Sequence, residues 1–441
     1  AMAHSTKAAH ADDHDASPLP LPLPLPLPWP RPAPLLVILS LLAAASYLAL
    51  TRVPAFASGR LVPAALLPIA PPRPRPHDAP APGDSCAGFY AGAGPARAVT
   101  ASVEEFGAVG DGATPNTAAF RRAVAELDAR AGGGGSRLEV PPGRWLTGSF
   151  NLTSRFTLFL HRGAVILGSQ VTDSFIACAI LLLLDSMQFV FFVRRDASAS
   201  LCDSNVVMKD LTILAPLDAP NTDGIDPDSS SEVCIEDCYI ESGDDLVAVK
   251  SGWDQYGISV GKPSTNIVIQ RVSGTTPTCS GVGFGSEMSG GISNVLVRDL
   301  HVWNSAQAVR LKTDVGRGGY ITNITIANVT MEKVKVPIRF SRGADDHSDD
   351  NYDRTALPRI SNVLISDVVG VDLQRAPMLE AVPGAVYEGI CFRNFSLRGI
   401  RRQHRWHCES VSGEAHEVFP APCEEFRKNR SSSSTYMYTR V

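Results

Sequence analysis

The chain has 441 residues, a formal net charge of −5, 19% charged residues and 7% aromatics. That balance excludes nucleic-acid binding driven by bulk positive charge, although a cleft that gathers its bases locally can still hold a polyanion. The 36 glycines and 33 prolines suit many short strands joined by turns.

Residues 1–34 read as a disordered leader, because proline stands at every second position from Pro18 to Pro34. Such a run has few amide donors and favours extended polyproline-type chain. The apolar run Leu35–Leu50 is 16 residues long, short for a membrane span and suited to the core of a signal peptide. Ala55-Phe56-Ala57 then has the small-x-small form of a cleavage site. Basic residues before the run are scarce, with only Arg31 close by. Residues 35–57 are therefore read as a signal peptide or, alternatively, as a type II signal anchor. Either reading sends the chain into the secretory pathway, as do five Asn-x-Ser/Thr sequons at Asn151, Asn323, Asn328, Asn394 and Asn429. Nine cysteines leave at least one thiol without an intramolecular partner. Residues 58–98 form a Pro/Ala-rich linker.

From Val99 the texture changes. Asn116 is placed as N-cap of a helix running to about Arg130, with Ala119, Ala123, Val124 and Leu127 as its apolar stripe. Gly132–Gly135 ends it. Leu138–Gly143 and Phe156–Leu160 read as strands. Seven later segments share the form Asn-apolar-x-apolar-x-x-apolar, beginning at Asn205, Glu232, Asn266, Asn294, Asn323, Asn362 and Gly389. Their starts are separated by 27, 34, 28, 29, 39 and 27 residues. Alternation marks each as a strand with one buried face. A period near 28 residues without intervening helix patterns means a solenoid whose coils stack over one continuous core. The fold class is therefore all-β, a single-stranded parallel β-helix over residues 99–428 with an N-terminal capping helix. Residues 429–441 are a flexible tail.

One strand position in these coils is unusually polar. It reads Asn221-Thr-Asp-Gly, Gly243-Asp-Asp, Ser280-Gly-Val-Gly and Arg310-Leu-Lys-Thr in succession. Asp223 and Asp244 are 21 residues apart, about one coil, and Arg310 and Lys312 share a parity and therefore a strand face. Stacking would align the carboxylates Asp223, Asp244 and Asp245 with two cations along one groove. Glycosidic cleavage needs one protonated and one ionised carboxyl group, and crowding carboxylates raises the pKa of at least one. Arg310 and Lys312 can bind a uronate carboxylate with charge-assisted hydrogen bonds.

These motifs, with FGAVGDG and VPPGRWLTGSFNLTS earlier in the chain, resemble glycoside hydrolase family 28, the polygalacturonases, and especially their plant polygalacturonase-like branch. The resemblance covers most of residues 99–428. It implies a right-handed parallel β-helix and inverting hydrolysis of galacturonan in pectin, without metal or other cofactor, by a monomer acting in the cell wall. By the family's roles Asp244 is the general acid, and Asp223 and Asp245 activate water. Arg310 and Lys312 hold the substrate carboxylate, with Asn221 and Ser280 also at the substrate.

Three departures stand out. Ser280 occupies the approximate place of a family histidine, and the Gly285–Gly291 run points toward attack at chain ends. Leu246 replaces a cysteine that in the family bonds a partner near the histidine, so Cys279 is expected to be free. Ser169 leads almost directly to Asn205 through Phe175–Val193, so two or three coils are expected to be missing. These departures keep open a catalytically weak or inactive pectin-binding protein, and a calcium-dependent pectate lyase shares the architecture. Asp345–Asp350 reads as a solvated loop, not a metal cluster. His404 and His407 near Cys408 read as a basic surface patch, not a zinc site.

Overall fold

The computed structural model describes Cys86 and residues 97–169, 205–342, 347–401 and 405–426, with the strand backbone at 191–192. The proline-rich leader, the Leu35–Leu50 run, the cleavage pattern and the tail lie outside the described residues, as do His404 and Asp345. Among the described residues no helix is long and apolar enough to cross a membrane.

The first layer holds the helix Thr117–Ala131 and two small parallel sheets. Strands Val99–Ser102, Ser136–Val140 and Phe156–Leu160 form one, and Gly143–Thr147 pairs with Ala164–Gly168 in the other. The helix buries Phe120, Ala123 and Leu127 in a cluster with Phe106, Leu138, Val140 and Trp145. Asn116 precedes the helix as expected, but its side chain does not cap it. Its Oδ1 accepts from the Val109 amide at 2.7 Å, and its Nδ2 donates to the carbonyls of Val109 and Thr114. The incoming loop outcompetes the helix terminus for this amide.

Beyond residue 205 the chain coils through two long parallel sheets. The longer contains strands Val206–Lys209, Ser231–Glu236, Ser264–Gln270, Ile292–Trp303, Tyr320–Glu332, Arg359–Val371, Val386–Leu397 and Val411–Phe419 as successive neighbours. The second contains Phe191–Phe192, Ile225–Asp226, Val247–Val249, Ser280–Phe284, Gln307–Thr313, Val336–Arg342, Met378–Glu380 and His407–Glu409. The Phe191–Phe192 strand pairs with Ile225–Asp226, so the stretch read as lacking coils supplies one rung; its remaining residues lie outside the described set.

The sequence repeat is the register of the longer sheet. Val206, Val233, Ile267, Val295, Ile324, Val363 and Ile390, each one residue past a repeat start, pair in one row. Two residues on, Ile235, Ile269, Val297, Ile326, Ile365 and Phe392 form a second row, and all six are fully buried. β-Branched side chains fit this pleated surface and pack on their own kind from coil to coil.

The repeat-start residues have their own task. Glu232, Asn266, Asn294, Asn323 and Asn362 all have φ between 53° and 55°, a left-handed conformation that asparagine tolerates well. Their side chains form a ladder: Asn266 donates to Glu232 at 2.6 Å, Asn294 to Asn266 at 3.3 Å, Asn323 to Asn294 at 3.1 Å and Asn362 to Asn323 at 3.3 Å. Asn323, read above as a sequon, is thus a member of the ladder. Disulfides join Cys86 to Cys234 and Cys408 to Cys423. The second removes Cys408 from any zinc site.

Truncating a residue of the inner row leaves a cavity that two flanking coils cannot fill. Ile326→Ala is expected to lower unfolding free energy by about 2–5 kcal/mol, read from denaturant titration as a lower midpoint.

Candidate active site

The second sheet alternates strictly. Val247, Val282, Val309 and Ile338 point inward, as do Val249, Phe284, Leu311 and Phe340, and all are fully buried. The row between them, Ala248, Gly283, Arg310, Arg339, Met378 and His407, belongs to the opposite face.

The aspartates sit where the chain enters this sheet. The amide of Asp244 donates to the Thr222 carbonyl at 3.1 Å, and those of Gly224 and Ile225 donate to the carbonyls of Asp245 and Leu246 at 2.9 and 3.1 Å. These bonds clamp the Asn221–Gly224 turn on the Gly243–Asp245 turn. Gly243 is required here, since a Cβ would lie 1.9 Å from the Ala219 carbonyl oxygen.

The clamp converges the carboxylates. The Asp245 amide donates to Asp223 Oδ1 and to Asp244 Oδ1, at 2.9 Å each. Asp245 is fully buried: its Oδ1 accepts from the Ser280 amide at 2.7 Å and from the Ser280 hydroxyl, and its Oδ2 accepts from Lys312 Nζ at 2.6 Å. Lys250 Nζ donates to Asp223 Oδ2 and to the buried Asp226 Oδ2, both at 2.8 Å. Gly283 makes room for this packing, because a Cβ there would approach Asp245 Oδ2 to 2.7 Å.

The environment separates neighbouring carboxylates. Burial, then the charges of Asp245 and Asp223, push the Asp244 carboxyl up to about 6. Burial would also raise Asp245, but the Lys312 ammonium and hydrogen bonds from Cys279, Lys312 and Ser280 outweigh it and hold the group at about 2. Burial, reinforced by Asp223, drives Asp226 well above the carboxylate range against the pull of Lys250. Glu287 is held low despite its burial, because Lys250 and Lys312 stand near it.

The structure therefore brings Asp223, Asp244 and Asp245 together and places Lys312 among them. Lys312 is committed to Asp245 and is not a free hand for substrate. Arg310 remains half-buried, its Nε donating to Ser341 Oγ at 3.2 Å and its Nη1 to Cys279 Sγ at 3.7 Å. Asn221 is exposed at φ 51° on the turn beside Asp223. Ser280, expected at the substrate, is instead fully buried and spends both its amide and its hydroxyl on Asp245. Cys279 is a free thiol and Leu246 fills the core, as the departures from the family pattern imply.

Sequence reasoning missed Lys250, Asp226 and Glu287. Lys250 has the parity of Ala248 and ends the Gly243–Lys250 segment, which was a usable signal. Asp226 could be found only from its closeness to Asp223. Asp244, Asp245 and Cys279 offer ligand atoms within 4.8 Å of one another, but the Lys312 ammonium already supplies the cation there.

The described part of the segment read as a solvated loop, His347–Asp350, makes specific contacts. His347 Nδ1 lies 3.0 Å from Asp254 Oδ2, and its ring stacks on Tyr352 at 3.4 Å. Asp349 accepts from Gln255 and Tyr256 at 3.0 and 2.6 Å. The buried Arg317 joins this region to the site, with Nη1 donating to Asp254 and Nε donating to the Ser286 carbonyl at 2.9 Å.

Removing one member of a buried ion pair leaves the other charge uncompensated. Lys312→Met is expected to cost about 3–5 kcal/mol of stability near neutral pH, measured by denaturant unfolding, with part of the loss recovered at acidic pH where Asp245 can take up a proton.

Comparison with known proteins fits this geometry. The family model for glycosyl hydrolases family 28 matches residues 185–418. A probable polygalacturonase of Vitis vinifera is 36% identical over 394 residues, covering 74% of this chain and 80% of that protein. Polygalacturonase-2 of Solanum lycopersicum is 28% identical over 204 residues, which span 44% of this chain and 41% of that protein. Among solved structures, an exopolygalacturonase of Thermotoga maritima superposes with a TM-score of 0.55 at 22% identity, over 72% of this chain and 91% of that one, a likeness of fold. With its parallel coils and paired aspartate turns, the chain belongs to glycoside hydrolase family 28, the polygalacturonase family.

Proposed function

We propose that the chain cleaves α-1,4-galacturonosidic bonds of pectin by single displacement at the rung formed by Asp223, Asp244 and Asp245. Asp244 gives its proton to the leaving glycosidic oxygen. Water attacks the anomeric carbon from the opposite face and passes its proton to the carboxylate pair Asp223 and Asp245, inverting that carbon. Asp223, held by Lys250 and less enclosed than Asp245, is the member that meets the water. Asp245, fixed by Ser280 and Lys312, keeps negative charge beside it. Arg310 takes the uronate carboxylate, and Asn221 lies on the exposed rim.

The single observation that carries this reading is the convergence of three carboxylates on one turn: the Asp245 amide holds Asp223 and Asp244, and Asp244, raised to about 6, stands beside Asp245, held at about 2. One fold thereby supplies a proton donor and an anion at the same pH.

Action at chain ends is part of the proposal. It is supported by the Gly285–Gly291 run. The plant relatives support a role in cell-wall modification. Two disulfides support passage through an oxidising compartment, in line with the secretory reading of residues 35–57 and with an extracellular site of action.

Asp244→Asn is expected to lower release of reducing ends from polygalacturonate on the order of 10²–10⁴-fold with an unchanged unfolding midpoint within experimental scatter. Wild-type activity no greater than that of Asp244→Asn would sink the hydrolase reading in favour of a pectin-binding protein on the same scaffold. Products with unsaturated, ultraviolet-absorbing ends would identify elimination instead.

Because the acid must be protonated, turnover should fall as pH rises through about 6, where Asp244 loses its proton. Loss of the Asp245 charge toward about 2 should remove the activity that remains in acid. A pH–rate profile of kcat/KM that rises toward alkaline pH would contradict the assignment.

A further inference from the structure

The outward row of the second sheet continues past the proposed catalytic rung. Ala248 and Gly283 stand first, with no side chain beyond Cβ, and the Asp245 carboxylate packs over Gly283. Arg310 follows on the next coil and Arg339 on the one after it, each paired in register with its predecessor. Adjacent coils lie about 4.7–4.9 Å apart, so the two side chains leave neighbouring strands on one face, and the charge of Arg310 is felt at Arg339.

We propose that Arg339, with Arg375 beside it, forms a second anion subsite that holds a uronate carboxylate one sugar removed from the one at Arg310. The inference rests on the reading of the aspartate rung as a uronan-cleaving site.

Three observations carry it. First, Arg339 is half-buried, and its Nε is enclosed without any hydrogen-bond partner, although a guanidinium offers five donors in a fixed fork. Second, among the described residues no carboxylate forms an ion pair with Arg310, Arg339 or Arg375, whereas Lys250 and Lys312 are both fully paired. Third, the local field disfavours the cation. Burial, then Arg310 and Arg375, lower the Arg339 pKa, and only Glu380 and Cys279 act in its favour. Like charges directly opposite one another on neighbouring strands are destabilising. A row of arginines without carboxylate partners among the described residues is therefore a cost to the free protein that a polyanionic ligand would relieve.

The chemistry fits a polyuronide. Each sugar carries one carboxylate, and planar guanidinium groups take carboxylates with two parallel hydrogen bonds. A stack of arginines spaced by one coil reads successive anionic sugars, as a lone Arg310 could not. It would discriminate against esterified sugars, which lack the charge.

The test is calorimetric titration of the full-length Asp244→Asn protein with trigalacturonate, with and without an added Arg339→Gln. Loss of a charge-assisted pair should weaken binding about tenfold or more. Arg339→Lys should keep most of the affinity, and Arg339→Gln should have no effect on binding of the fully methyl-esterified trimer. Affinity for trigalacturonate within twofold after Arg339→Gln would overturn the subsite, as would an equal loss with the ester. Failure of the broader reading shows up separately: Arg339-dependent binding by a wild-type chain without hydrolytic activity removes the hydrolase and keeps the subsite.

Discussion

Every coil of this protein lies one hydrogen-bond repeat, about 4.7–4.9 Å, from the coil above and the coil below. In-register parallel pairing at that spacing makes each side chain face its own counterpart. For an apolar row the arrangement is self-consistent, which is why Ile235, Ile269, Val297, Ile326 and Ile365 can follow one another at full burial. It is also favourable for asparagine, whose amide is both donor and acceptor, so the repeat-start ladder satisfies itself coil by coil. For charges of one sign the same geometry is a penalty.

The active-site rung is where the chain accepts that penalty. Asp223, Asp226, Asp244, Asp245 and Glu287 converge within two or three coils, and two lysines balance them. Lys250 bridges Asp223 and Asp226, while Lys312 takes Asp245. Five carboxylates against two ammonium groups leave a local excess of negative charge. Two members are raised: Asp226 by burial against the pull of Lys250, and Asp244 by burial beside the charges of Asp245 and Asp223; of these only Asp244 has no ion-pair partner among the described residues. The proposed proton donor thus owes its raised pKa to burial and to its neighbouring carboxylates. Further along the same sheet face the imbalance reverses sign at Arg310 and Arg339, and that change of sign gives the groove an electrostatic direction for an anionic chain.

How much of this was legible beforehand depended on whether a feature repeats. The rows of the longer sheet could be read from Asn205 to Gly389 because one pattern recurs and a recurring pattern has one structural meaning. The three aspartates were legible because their turns are short and about a coil apart. Of the counter-ions, Lys312 was legible from its parity with Arg310, whereas Lys250 was passed over, because its pairing with Asp223 and Asp226 joins residues 27 and 24 positions apart. Ser280 was placed at the substrate by its place in the family pattern; that its amide and hydroxyl turn onto Asp245 depends on a neighbouring coil 35 residues away. The docking of His347 and Asp349 on the segment Asp254–Tyr256 joins residues more than 90 positions apart, and composition pointed only to a loop. Cysteine pairing was equally closed to sequence, as Cys86 and Cys234 are 148 residues apart.

The central claim is that stacking splits the aspartates, leaving Asp244 protonated beside an ionised Asp245. The most direct measurement is carbon-13 NMR titration of labelled aspartate carboxyls, with the Asp244 signal identified by its loss in Asp244→Asn. The account predicts a midpoint for Asp244 of about 6 and an Asp245 signal that stays ionised down to about 2. An Asp244 midpoint near the ordinary aspartate value of about 3.9 would contradict it.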